Sequence, residues 1–370
     1  MTEVLETLLL ASHLLCVNVA AGGPIVAAWL DWRAYRGDAA AAWSARQLGG
    51  WSVGGLVAGG LLGVLLGWLK WDAAYRALWL GPLSYKAYWA GIELVFSLLI
   101  MLGWWWWLPR AAGGSRAAMI TRGMLALLAA TNLLYHFPVL FTVAARLVDA
   151  GQTAGEPIRG PGFREQMLVA ETPALTIHVV LASIAVAGTM LIGFAMRRRR
   201  QGREDEAARL ATWGGRWALL ASLGQLPIGI WTLFVLPATA QASIMGYSTV
   251  GTLLLVSSLV AVFWLLRELV NVALGETTRP VLVRAMAAML VTVVLMTGVL
   301  QATRTARAVG SASFYDSSSA ISFKRVSRCR RNPFRGVYSV GHGQTAASAS
   351  DSDSAAHRPV ITGVTGSVAI

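Results

Sequence analysis

The chain has 370 residues, of which 56% are hydrophobic and 13% charged, with a mean hydropathy of +0.57 and a formal net charge of +13. A water-soluble domain of this length needs a larger charged surface, so that class is excluded. Nor does the basic excess indicate nucleic acid, because most Lys and Arg lie in or beside short connections between apolar blocks, where they set topology.

Eight apolar blocks follow in chain order: residues 4–30, 48–69, 84–108, 117–147, 173–196, 211–236, 248–266 and 281–300. Each is long enough, at roughly 20 residues, to cross a hydrocarbon core of about 30 Å. In lipid the backbone must satisfy its own hydrogen bonds, so blocks of this length are helices. The expected fold is therefore all-α, a polytopic transmembrane helix bundle over residues 1–301. The first block is too long for a signal-peptide core and lacks a basic leader, so it reads as a retained helix.

Orientation follows from the basic residues. Arg33, Arg36 and Arg46 lie between spans 1 and 2, and Arg110, Arg116 and Arg122 around the junction of spans 3 and 4. Span 5 ends in Arg197, Arg198, Arg199 and Arg200, while Arg267, Arg279 and Arg284 lie around the last junction. The alternate side is poorer: Glu3 and Glu6 open the chain, residues 237–243 carry no charge, and residues 149–171 mix both signs. The positive-inside rule places the N-terminus outside. Many of the 16 Trp sit at block edges, as membrane interfaces favour. Trp104, Trp105, Trp106 and Trp107 read as an inner anchor, and Trp79, Tyr85, Tyr88 and Trp89 as an outer one.

Span 2 carries Gly55, Gly59, Gly63 and Gly67 on one face. Such a stripe admits close approach of another helix, the favoured reading, or of a flat ligand. Beyond residue 301 the character changes. Residues 302–370 are rich in Ser and Ala, with Arg328, Arg330 and Arg331 clustered, and read as a disordered basic tail. Eight spans would place this tail outside, against the positive-inside trend, which makes a shifted reading frame the preferred explanation. Cys16 and Cys329 form no disulfide framework or covalent haem motif.

Ionisable groups inside spans are costly and mark functional candidates. Three of the five histidines, His13, His136 and His178, lie within spans, as does Glu93. With the orientation above, all four fall in the outer half of the bilayer, and Met245 lies near the same side. Imidazole and thioether are axial ligands of haem iron, and a His/Met pair gives an electron-transfer centre. A nearby carboxylate suits a second haem or proton transfer. Zinc fits less well, since no two of these groups stand at i, i+3 or i+4 spacing and no thiolate pair accompanies them. The plainer alternative is that these side chains are polar contacts between helices of a haem-free transporter or assembly scaffold.

At these residues the chain resembles subunit I of the cytochrome bd ubiquinol oxidase family. LLLASHLLCVNVAAGGPIVAAW is similar to that family's first helix, and His13 falls on a ligand of the high-spin haem pair. IELVFSLLIMLGWW is similar to the third helix, with Glu93 ten residues before Gly103 and Trp104. IHVVLASIAVAGTMLIGFAMR resembles the helix that ligates the low-spin haem b, placing His178 as ligand, and Met245 in SIMGYSTVGTLLL takes the opposite position. The chain departs from the family at Tyr85, where a glutamate is expected, and at Ser243, where an arginine is expected. Its loop between spans 6 and 7 is also too short for the family's quinol-binding segment. His136 has no counterpart and stands where it could compensate for the missing ligand.

The resemblance implies a haem b-binding subunit of a respiratory complex in a bacterial inner membrane. It would be oxidoreductase-like and work beside a second membrane subunit. Electrons would come from a quinol or a cytochrome c-like donor, with oxygen as the family's acceptor.

Overall fold

A computed structural model describes residues 2–109 and 113–329, with side chains through residue 307. The described residues are helical with no strand, and eight helices are long and apolar enough to span a membrane. The protein is an integral membrane protein of the all-α class.

The order is α1 (Thr2–Tyr35), α2 (Ala39–Leu69), α3 (Ala73–Leu80), α4 (Ser84–Trp107), α5 (Arg116–Asp149), α6 (Gly160–Leu168), α7 (Glu171–Arg200) and α8 (Glu204–Val235). Then come α9 (Ala238–Ala242), a kinked turn (Ser243–Tyr247), α10 (Thr249–Ala273) and α11 (Arg279–Cys329). All but α3, α6 and α9 are spans, and they coincide with the eight apolar blocks. Side-chain caps start several of them. Asp38 accepts from the Ala41 amide at α2, Ser115 from Ala118 at α5, and Ser248 from Gly251 at α10. Each satisfies one of the donors that a helix start leaves open.

Met1–Ser318 form one compact unit and Ser319–Ile370 a second, of which only the helical residues 319–329 are described. The boundary expected at residue 301 lies within the first of these units. It falls inside α11, whose residues 302–307 continue the helix and whose Arg307 is buried. Residues 330–370 lie outside the described residues, and so do the side chains of Arg328, Arg330, Arg331 and Cys329.

The bundle is built on two tight hairpins, α1 with α2 and α7 with α8, which meet through α1 and α7. Helix α5 packs against both α1 and α7, α4 against α5, and α10 against α8. Between helices in lipid there is no hydrophobic gain, so close van der Waals approach must hold them. The core accordingly runs on small residues: Ala27, Ala34, Ala41, Ala45, Ala126 and Ala187 share one cluster. Where α7 crosses α8, a Cβ on Gly188 would stand 2.6 Å from the Ala218 amide nitrogen, so only glycine fits.

Ion pairs identify the two ends. At one, Asp31 near the end of α1 meets Arg122 near the start of α5, and Arg46 donates to the carbonyls of Trp105 and Leu108 at the end of α4. Arg199 at the end of α7 donates to the Thr277 carbonyl before α11. At the other, Lys70 pairs with Glu6, and Arg307 with Asp149 and Glu171. The first is the Arg-rich end of the sequence pattern and the second the Arg-poor end.

The four tryptophans closing α4 do not form a single anchor. Trp104 is fully buried in the core, Trp105 donates to the Arg46 carbonyl, and Trp106 is 74% exposed. Consecutive helical positions point about 100° apart, so four in a row must sample both core and lipid.

Candidate functional site

His13, Glu93, His136 and His178 each lie in the half of their helix nearer the Arg-poor end. All four therefore lie toward the same end of the bundle. At that depth the four residues do not share one site.

His13 faces α2. Its Nδ1 donates to the Gly59 carbonyl at 2.8 Å, which leaves Nε2 as the ring's acceptor. The glycine stripe makes this contact possible. A Cβ on Gly55 would stand 2.7 Å from the Cys16 carbonyl oxygen, on Gly59 2.7 Å from Val17 Cγ1, and on Gly63 3.0 Å from His13 Cε1. Three of the four glycines therefore serve helix packing, the favoured expectation. Gly67 meets nothing within 4 Å. Further along the α1 seam, the Ser183 hydroxyl of α7 donates to Asn18 Oδ1 at 2.8 Å, a buried polar tie close to where Gly22 meets the Ser183 carbonyl.

Glu93 of α4 and His136 of α5 come together. Glu93 Oε1 and His136 Nε2 are 3.9 Å apart, with both side chains partly exposed. They line a cavity of about 240 Å³ with Tyr85, Lys86, Trp89 and Phe163. Asn132 braces the pair from below, donating to the Glu93 carbonyl and the Ser97 hydroxyl. Phe163 comes from α6 and its ring lies 4.2 Å from Lys86 Nζ, a cation–π contact that caps the cavity. Neither Lys86 nor Phe163 was singled out in the sequence. The signal for Lys86 was its position one heptad before Glu93, on the same helical face; Phe163 had no signal, lying in a loop of mixed charge. At 3.9 Å the two groups do not bond directly, and a water or ligand bridging them could relay a proton.

His178 lies on α7, and its Nδ1 is buried with no hydrogen-bond partner among the described residues. An unpartnered buried nitrogen costs about 1–3 kcal/mol, a cost that a ligand at that atom would relieve. Met245 lies just before α10. It sits in the kinked turn with φ −110°, beside Gly246 at φ 121°, and is 62% exposed. This turn packs against α10. No hydrogen bond or ion pair joins His13, His178 and Met245 to one another among the described residues. Among the described residues no group of three or more His, Cys, Asp or Glu converges.

The Arg-poor end also holds a buried charge network absent from the sequence reading. Arg307 of α11 donates to Asp149 Oδ2 at 2.9 Å and to Glu171 Oε1 at 2.7 Å, while Arg146 stands 3.8 Å from Glu171. This ties together the ends of α5, α7 and α11.

No family model matches the chain, and no curated protein matches it.

Proposed function

We propose that the chain is a haem-binding membrane subunit of a cytochrome bd-like respiratory complex. In this reading it resides in a bacterial inner membrane with its N-terminus outside. It passes electrons from a quinol or cytochrome c-like donor to the complex's acceptor, which in the family is oxygen. The observation that carries the reading is the buried, unpartnered Nδ1 of His178 inside a membrane-spanning helix. Either ring nitrogen of an imidazole is a competent ligand.

The donor chemistry fits haem b. His13, with Nδ1 donating to a backbone carbonyl, presents Nε2 in the manner of a metal-ligating histidine. His178 supplies the second imidazole and Met245 the thioether, with His13 and His178 as the principal ligands of two sites. Haem, when bound, supplies a one-electron iron couple. The chain's own contribution is positioning and proton handling. Gly59 orients the His13 ring, and the small-residue seam between α1 and α2 fixes its depth. Glu93 and His136 stand where a bridging water or ligand would let them relay a proton near the Arg-poor surface, and electron transfer in low dielectric calls for such charge compensation. A second membrane subunit would cover the lipid-facing side of this half.

One observation favours a competing reading, a haem-free transporter or assembly scaffold. The His13 bond to Gly59 is also what a polar contact between two helices looks like. A reduced-minus-oxidised optical spectrum of the purified protein separates the two. The haem reading expects a b-type difference band; its absence after expression with haem supplied would leave the scaffold reading.

A further inference from the structure

A second cavity, roomier than the one at Glu93, lies between α1, α2, α7 and α11, with a volume of about 670 Å³. Its walls are apolar and soft: Val186 and Met190 from α7, Met286 and Met289 from α11, Leu15 from α1. Methionine adapts to flexible apolar occupants. Its floor on α2 is Gly50, Gly54 and Ala58, and a Cβ at Gly54 would meet nothing within 4 Å. Trp51 and Leu290 also line it and are exposed, so it opens toward the bilayer.

Its one charged and one amide side chain gather at one end, while Thr189 and Cys16 line it deeper. Arg46 and Gln47 line it two turns into α2 from the Arg-rich end, and Arg197 donates to Gln47 Oε1 at 3.4 Å. No acidic side chain lines the cavity among the described residues. The distance along α2 from Arg46 to Ala58 is about 18 Å at 1.5 Å per residue. One leaflet of a hydrocarbon core of about 30 Å is about 15 Å deep. The cavity therefore has the depth of a single leaflet, an apolar interior, and two guanidinium groups at headgroup level.

We propose that this cavity holds one acyl chain of an anionic phospholipid from the leaflet at the Arg-rich end, with the lipid phosphate against Arg46 and Arg197. Arg46 is already anchored by the Trp105 and Leu108 carbonyls and stacks on the Trp105 ring at 5.6 Å, so its guanidinium is held in place before the lipid arrives. Guanidinium recognises phosphate by paired N–H donors in a fixed plane. Basic pockets between spans are a recurring setting for such headgroups. Its headgroup end lies away from the histidines, while its deep end, at Cys16 and Ala58, comes within a turn of His13 and its acceptor Gly59.

The test is native mass spectrometry of the full chain in detergent, after addition of phosphatidylglycerol or phosphatidylcholine. The wild-type protein should retain one phosphatidylglycerol and several-fold less phosphatidylcholine. Gly54→Phe, which fills the cavity, should lose both. Gly60→Phe, also on α2 with open space around it but outside the cavity, should behave as wild type. Arg46→Gln should erase the preference for phosphatidylglycerol; if Gly54→Phe fails to give a monodisperse protein by gel filtration, this variant carries the test. Equal retention of the two lipids by the wild type would overturn the phosphate contact. Undiminished retention by a folded Gly54→Phe would overturn the site.

Discussion

At the Arg-rich end, Asp31 and Arg122 close on each other through two bonds of 2.8 and 3.0 Å. At membrane depth toward the other end, the polar side chains are held far less completely. Glu93 and His136 stand 3.9 Å apart, and His178 Nδ1 has no partner among the described residues. Both sets of residues are costly in lipid. The closed Asp31–Arg122 pair recovers that cost through its own bonds and so reads as a fastening. The open groups recover less of it, so their presence calls for another explanation, and a ligand or a transferred proton supplies one. Burial alone would have ranked the first set above the second; completeness of hydrogen bonding reverses the order.

The comparison is sharpened most strongly by breaking a fastening. Arg122→Ala leaves Asp31 buried without its partner and should lower stability by about 3–5 kcal/mol, read as unfolding in detergent. Arg307→Ala should cost about 3 kcal/mol, at the lower end of that range because Arg146 still faces Glu171. Shortening the chain after Arg307, by contrast, removes none of these pairs and should leave membrane insertion unchanged. Gly55→Leu drives a side chain into the Cys16 carbonyl and should cost about 1–3 kcal/mol, whereas Gly67→Leu should be neutral. Glu93→Gln should change stability by no more than about 0.5 kcal/mol, because the pair with His136 is loose and partly exposed. A large loss there would reclassify the pair as a fastening.

Much of this was legible in the sequence. The eight spans were, because lipid demands apolar runs of fixed length. The shared depth of the four ionisable residues was, because rise per residue and Arg counts are enough to compute it. The glycine stripe also announced close packing. Pairings were not legible: Asp31 and Arg122 are 91 residues apart, and only the docking of α5 on α1 joins them. Helix α6 was missed because nine residues of mixed charge carry no membrane signal, and with it went Phe163 and the roof of the Glu93 cavity. Arg307 was missed because composition averaged over a long Ser-rich stretch hides one residue that belongs to the bundle. The setting of Met245 depends on a local kink that no hydrophobic period encodes.

The central claim is that the open imidazole of His178 is a haem ligand and not a helix fastening. Reduced-minus-oxidised spectra of the wild-type protein and of His178→Ala, purified side by side and matched by gel filtration, test it most directly. The account predicts a low-spin b-type band in the wild type that His178→Ala loses while remaining folded. A band that survives the substitution, or a wild-type protein with no band, would contradict it.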